Sequence, residues 1–360
     1  MRRLRTDDRG ALGVLIAILL GFGVLLGMGA IVIDTGFLYQ ERAELQNGAD
    51  AGALAVAQGC AKGASTCLVN KANYYANHNA KDNVSTVEQV CGFDGNGVLS
   101  SCGASTGTMI DCPAKPAAGT KYVDVHTSTQ TAGGDTLLPP SFARALAGNS
   151  AYDGTRVHAC ARATWGPPKT ATTMAMTISW CEWSEATSNG TNYGPPPPET
   201  PPVSVHRVLK LHTTGGTTCP SGPSGSDGPG MFGWVDDTGS DCSVLISNNT
   251  YSADTGASAG SDCKAALASA FASREAVYFP IYTKVTGTGT GGTYTLSGFA
   301  GFVVTGYWLP GASQKDWLTN KNECKGSDKC IAGYFVQGLL PGTGTIGGPD
   351  LGTRIVQLTG

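Results

Sequence analysis

The sequence predicts an α+β protein. A long N-terminal transmembrane helix continues as a stalk, followed by a mixed α/β membrane-proximal region and a mainly β, disulfide-rich distal domain. Three observations carry this expectation. Residues 11–33 contain no charged, amide or hydroxyl side chain. Residues 35–57 lack proline and repeat apolar and small side chains at helical spacing. The chain as a whole holds 51 glycines, 19 prolines and 12 cysteines, with no cysteine before Cys60, a composition of short strands, turns and cross-links.

The apolar run comes first. At about 1.5 Å per residue it makes roughly 35 Å of helix, enough to cross a hydrocarbon core of about 30 Å. A secretory signal has a shorter apolar core, about 7 to 15 residues, with a small-residue cleavage site directly after it. Here the run enters Asp34-Thr35-Gly36-Phe37-Leu38-Tyr39-Gln40-Glu41-Arg42 instead, so the expectation is a retained span. Arg2, Arg3, Arg5 and Arg9 precede it, which places residues 1–10 in the cytoplasm and everything from residue 34 outside. Cysteines confined to the exported portion agree with an oxidising compartment. Within the span, Gly23-Val24-Leu25-Leu26-Gly27 is a GxxxG pattern, and Gly23 and Gly27 are candidate positions for close helix packing in lipid.

The stalk, 34–58, follows without a break. Leu38, Leu45, Ala49, Ala53 and Val56 fall on one stripe at 100° per residue, with Glu44, Asn47 and Asp50 off it. Two readings of this alanine-rich stripe stay open. It rests on the chain's own globular domain, or it packs against copies of itself or a related subunit.

The membrane-proximal region, 59–166, contains β-prone segments at 121–127 and 156–164 and a short helix from Ser141 to Gly148. The exported part divides near Trp165-Gly166-Pro167-Pro168. In the distal domain, 169–360, strands are predicted at 172–180, 203–211, 231–235, 277–286, 293–310, 332–339 and 354–358, with one clear helix at 261–274. The proline-rich stretch 194–202 sits between β-prone segments and reads as an exposed loop of this domain.

Six cysteines precede the division (Cys60, Cys67, Cys91, Cys102, Cys112, Cys160) and six follow it (Cys181, Cys219, Cys242, Cys263, Cys324, Cys330). Each region can therefore close its own disulfides. Connectivity stays open, with Cys60–Cys67 and Cys324–Cys330 as candidate local pairs. Each bridge is expected to contribute roughly 2–4 kcal/mol.

Composition also excludes functions. Charged residues are 14% and the net charge is -3, so there is no basic footprint for nucleic acid. No Cys-x-x-Cys, His-Glu-x-x-His or Walker-type string occurs. His206, Lys210 and His212 alternate with apolar residues and read as the solvated face of a strand. The glycines at 287–292 lack the lysine and helix of a phosphate loop and read as a turn. No catalytic, cofactor-binding or metal-ligating residue is predicted.

Several stretches resemble a known family. Arg9-Gly10 before the span, Asp34-Thr35-Gly36 at its exit and the run from Glu41 to Ala55, above all Leu45-Gln46-Asn47-Gly48-Ala49-Asp50-Ala51-Gly52-Ala53-Leu54-Ala55, are similar to TadE/TadG-like pilus-assembly proteins of tight-adherence (Flp pilus) systems. Leu138-Pro139-Pro140-Ser141-Phe142-Ala143-Arg144, residues 157–166 and residues 297–307 resemble later parts of the actinobacterial TadG-related type. The resemblance implies a noncatalytic, minor pilin-like structural or assembly component in a bacterial plasma membrane. Its partners would be the membrane and other subunits of the pilus or secretion apparatus, possibly itself. Leu15 stands where pilin-type processing after Gly10 favours glutamate, so the helix is expected to stay whole. Asp241-Cys242-Ser243-Val244-Leu245 lacks the second serine of the metal motif that larger relatives carry. The alternative is a surface-anchored hydrolase or ligand-binding protein that uses the helix only as a tether.

Overall fold

The computed structural model describes residues 9–21, 24–103, 112, 114–140, 142, 153–211, 232–236, 241–247, 250–254, 260–286, 292–324, 328–342 and 344–359. Gly23, Cys219, His212, nearly all of the helix predicted from Ser141 and most of the 287–292 turn lie outside these residues. The chain forms two compact units: Met1–Cys60, Ser65–Thr164 and Leu358–Gly360 make the first, and Ala61–Ala64 with Trp165–Gln357 the second.

The first unit begins with α1 (Arg9–Gly21) and α2 (Val24–Ala61). No helix among the described residues is long and apolar enough to cross a membrane. The apolar run is divided between α1, which has 13 residues, and the first part of α2, whose 38 residues are polar and charged from Asp34 onward. Then come α3 (Lys71–Asn79), β1 (Thr86–Phe93), β2 (Lys121–Ser128) and β3 (His158–Gly166), with β2 between β1 and β3 in the sheet. β1 and β2 are antiparallel from Thr86 opposite Ser128 to Phe93 opposite Tyr122, with a bulge at Glu88.

Seven of the eight residues of β2 are buried, so both faces of the strand are covered. Alternation separates them by chemistry. Val125 lies toward α2 at Gly52, and the Thr127 hydroxyl donates to the Leu45 carbonyl at 3.0 Å. On the opposite face, Arg162 of β3 grips Asp124 through Nε and Nη2, each at 2.6 Å, donates to the Ala114 carbonyl, and stacks 4.9 Å over Tyr122. Cys91–Cys102 and Cys112–Cys160 flank that ion pair, with the Cys102 sulfur 3.6 Å from Asp124 and the Cys112 and Cys160 sulfurs 3.8 and 3.7 Å from His126.

The second unit contains β4 (Pro168–Met174), β5 (Met176–Ser179), α4 (Trp180–Thr187), a 3₁₀ turn at Val203–Val205, β6 (Arg207–Lys210), β7 (Phe232–Val235), β8 (Ser243–Ile246) and β9 (Thr250–Asp254). After these come α5 (Ser261–Ser273), β10 (Ala276–Thr286), β11 (Thr293–Leu309), β12 (Ala312–Gln314), β13 (Cys330–Val336), β14 (Gly338–Leu339), β15 (Gly344–Ile346) and β16 (Thr353–Leu358). The pairings β10–β5, β5–β7, β7–β9, β9–β11 and β11–β10 close a ring of five strands. The far half of β11 then carries β13, and β13 carries β6. Ile178, Phe232, Trp234, Phe279, Phe302 and Phe335 meet Leu267 of α5 in the main core.

Among the described residues five bridges have both cysteines in place: Cys60–Cys67, Cys91–Cys102, Cys112–Cys160, Cys242–Cys263 and Cys324–Cys330. Cys181 is also disulfide-bonded. Both short-range pairs expected from sequence are among them.

The structure departs from the sequence reading at several points. The strand predicted through Trp180 stops at Ser179, whose hydroxyl caps α4 by accepting from the Cys181 amide at 3.1 Å, while Glu182 complements the helix N-terminus. The strand predicted from Val203 starts only at Arg207, because the 3₁₀ turn follows directly on Pro201-Pro202. Neither α3 nor β1 was expected. His206 does not lie on a solvated face: it is nearly buried, and its Nε2 is 2.8 Å from Asp316. Lys210 does sit at the surface, 3.0 Å from Asp328.

Candidate assembly surface on the N-terminal helix

The small-residue face of α2 is occupied by the chain's own first unit. Leu45, Ala49, Ala53 and Val56 are between 0% and 3% exposed. Opposite them runs α3, antiparallel, with Ala76 against Gly48 and Ala72 against Gly52. A Cβ at Gly48 would lie 3.0 Å from the Ala76 Cα, so two small residues at four-residue spacing on each helix permit the contact. Alanine at both positions of α3 supplies little apolar area. The helix is instead held by what surrounds it: Gln46 reaches the Cys160 carbonyl at 3.1 Å, Glu44 accepts from the Lys81 amide at 2.8 Å, and Cys60–Cys67 closes the turn after α2.

Toward its N-terminal end the same helix is open. Leu38 is half-buried and Gly27 has nothing within 4 Å of where a Cβ would stand. Leu12, Leu20, Met28, Ile31, Val32, Phe37 and Tyr39 are exposed. The predicted stripe therefore divides: its part from Leu45 to Val56 is covered, and its part up to Leu38 is not. Burial raises the Glu41 carboxyl above its usual range, opposed by a hydrogen bond from Thr129 and reinforced by the charges of Glu44 and Asp82.

Beside this open stretch lies a groove of about 370 Å³ lined by Thr35, Leu38, Tyr39 and Arg42 of α2 and by Thr155, Arg156, Val157 and His158. Arg156 donates from Nε to the Thr136 carbonyl at 3.2 Å and comes within 3.7 Å of Glu88, while His158 Nδ1 faces Glu88 at 3.4 Å. Asp34 accepts from the Phe142 amide at 3.1 and 3.2 Å, which holds Phe142 against the helix at this level, and Leu138 pairs with Thr155. Sequence reasoning missed Arg42, Arg156 and Glu88 as a group, because they come from three distant stretches of chain.

Among the described residues, three clusters have metal-ligand chemistry. Two of them, Cys112–His126–Cys160 and Cys91–Asp124–His126, draw on sulfurs already spent in disulfides. The third joins His206, Asp316 and Glu323. Asp316 is filled as an acceptor: Oδ1 takes the Leu318 and Thr319 amides, each at 2.8 Å, and Oδ2 takes Thr305 at 2.6 Å and His206 at 2.8 Å. Burial would raise its carboxyl, but these bonds and the charge of His206 prevail and lower it to about 2. The arrangement is a clasp holding the segment after β12 to β11 and to the residue before β6.

A cleft of about 580 Å³ in the second unit runs along Thr172–Met174, Cys242, Ser243, Glu275–Tyr278 and Leu339–Pro341. Its titratable side chains are Glu275 and Tyr278. The Tyr278 hydroxyl donates to the Leu339 carbonyl at 2.6 Å and is pushed up to about 12, chiefly by burial.

Residues 11–59 match the family model described as putative Flp pilus-assembly TadE/G-like. The match covers all but the first two residues of α1 and nearly all of α2, and it ends one residue before Cys60. No curated protein and no solved structure matches the chain.

Proposed function

We propose that this chain is a membrane-anchored, noncatalytic assembly component of a Tad/Flp-type pilus or secretion apparatus, minor pilin-like in form. The family match across residues 11–59 carries the reading. The apolar run 11–33 serves as a single-pass anchor in a bacterial plasma membrane, its length suited to a core of about 30 Å. Arginines ahead of it keep the N-terminus in the cytoplasm, and the disulfide-laced units lie outside. Within the Asp316 cluster both carboxylate oxygens are already taken as acceptors, which supports a structural role for that cluster.

The surface offered to other subunits, or to another copy, is the exposed part of the helix before Leu45. The alanine face from Ala49 to Val56 is not part of it, because α3 and β2 already cover that face. Genetically placed photo-crosslinking side chains in living cells test this. Positions Leu20, Met28, Val32 and Tyr39 should capture apparatus subunits or a second copy, and Ala49 and Ala53 should not. Deletion of the gene should also reduce surface fibres. Absence of protein adducts along 12–43, together with substrate turnover by the exported region, would overturn the proposal.

A further inference from the structure

We infer that the base of the first unit is a seat on the outer leaflet, and that the groove between α2 and residues 155–158 takes the phosphate of an anionic phospholipid. The inference rests on the anchoring proposed above. The groove begins two residues past the apolar run, at Thr35, and ends nine past it, at Arg42. At about 1.5 Å per residue these lie roughly 3 to 14 Å beyond the hydrocarbon edge. The headgroup layer occupies roughly the first 5 to 8 Å of that interval on each side of the bilayer.

Direction then matters. Side chains on a helix tilt toward its N-terminus, which for α2 is toward the bilayer, so Arg42 and Tyr39 lean back into the headgroup layer. A long arginine stem extends that reach. Arg42 is exposed and has no ion-pair partner among the described residues, whereas Arg156 and His158 face Glu88. The groove thus holds one uncommitted cation at its helical wall, with the apolar bodies of Leu38 and Val157 beside it. A phosphate ester with acyl chains below it has the matching chemistry: negative charge for Arg42 and apolar bulk continuous with the span.

A second observation comes from the rim. Phe37, Tyr39, Leu137 and Phe142 are each more than a third exposed, and Phe142 is tied to α2 by the hydrogen bond its backbone N–H donates to the Asp34 carboxylate. Large apolar and aromatic side chains gathered at the exit of a span are suited to the interface, where the ring body meets lipid and a polar end meets water. Two separate stretches of chain bring these four residues to the same level of the helix, which a simple tether would not require.

Native mass spectrometry of the full chain in nanodiscs of phosphatidylcholine with a minority of phosphatidylglycerol tests the inference. The released protein should retain phosphatidylglycerol in preference to phosphatidylcholine. Arg42→Gln should lower that retention about fivefold, the size expected for one cation near an anionic surface. Lys81→Gln, which removes an exposed cation of the same unit away from the groove, should leave it unchanged. A chain held in the discs without lipid preference, or equal retention by Arg42→Gln and the parent, refutes the lipid site alone. A chain that is not held in the discs refutes the anchoring and the site together.

Discussion

Three glycines of α2 should respond differently to the same substitution. Each Gly→Ala change in a helix interior gains about 0.8–1.0 kcal/mol of intrinsic propensity. At Gly36 nothing lies within 4 Å of the new methyl, so the gain is unopposed. At Gly48 the methyl would meet the Ala76 Cα at 3.0 Å and its carbonyl oxygen at 3.2 Å, so α3 must give by a few tenths of an ångström. Gain and loss then nearly cancel. At Gly59 the methyl would stand 2.7 Å from the Cys67 carbonyl oxygen and 2.9 Å from its carbon, backbone atoms held in place by the Cys60–Cys67 bridge. Overpacking of that kind costs about 1–3 kcal/mol, leaving a net loss of about 1–2 kcal/mol after the propensity gain. For a unit of this size about 1 kcal/mol corresponds to roughly 2–4 °C in Tm. Thermal unfolding of the oxidised chain, followed by near-ultraviolet circular dichroism, should therefore give the order Gly36→Ala at or above the parent, Gly48→Ala close to it, and Gly59→Ala lower by several degrees. If Gly59→Ala melts with or above Gly36→Ala, the docking of the α2 terminus on Cys67 is wrong.

Two further outcomes follow from buried charge. Asp124→Ala leaves the Arg162 guanidinium buried beside two disulfides without its bidentate partner, and should cost about 3–5 kcal/mol in denaturant unfolding; Asp124→Leu combined with Arg162→Leu should recover most of that loss. Asp316 titrates near 2 in the folded protein against about 3.9 unfolded, so its contribution of about 2 kcal/mol is complete above pH 4 and is lost as pH falls toward 2. Denaturant midpoints measured between pH 2 and pH 5 should flatten in Asp316→Asn, and an unchanged slope would show that the clasp is not the acid-sensitive element.

What could be read in the sequence was local. The α2 stripe repeats within a few turns, so its burial pattern from Leu45 to Val56 is written in the spacing. Cys60–Cys67 and Cys324–Cys330 close loops short enough to be guessed, whereas Cys112–Cys160 spans 48 residues and competes with many other pairings. α3 gives almost no signal of its own: Lys-Ala-Asn-Tyr-Tyr-Ala-Asn-His-Asn is polar, and its helix depends on Ala72 and Ala76 finding Gly52 and Gly48. His206 looked solvated because alternation shows which face a residue shares but not what covers it. Asp316, which covers it, lies 110 residues away. The groove at Arg42 was hidden for the same reason, since its second wall is formed by residues 155–158.

The continuity of α2 has a mechanical consequence. Its 38 residues make one rod of roughly 57 Å at 1.5 Å per residue, and the last four turns are fused to the first unit by α3, β2 and a disulfide. There is no swivel between Val24 and Ala61. Torque or tilt applied to the rod at its apolar end therefore reaches the sheet of β1, β2 and β3 through continuous helix, which makes α2 a lever arm on the first unit.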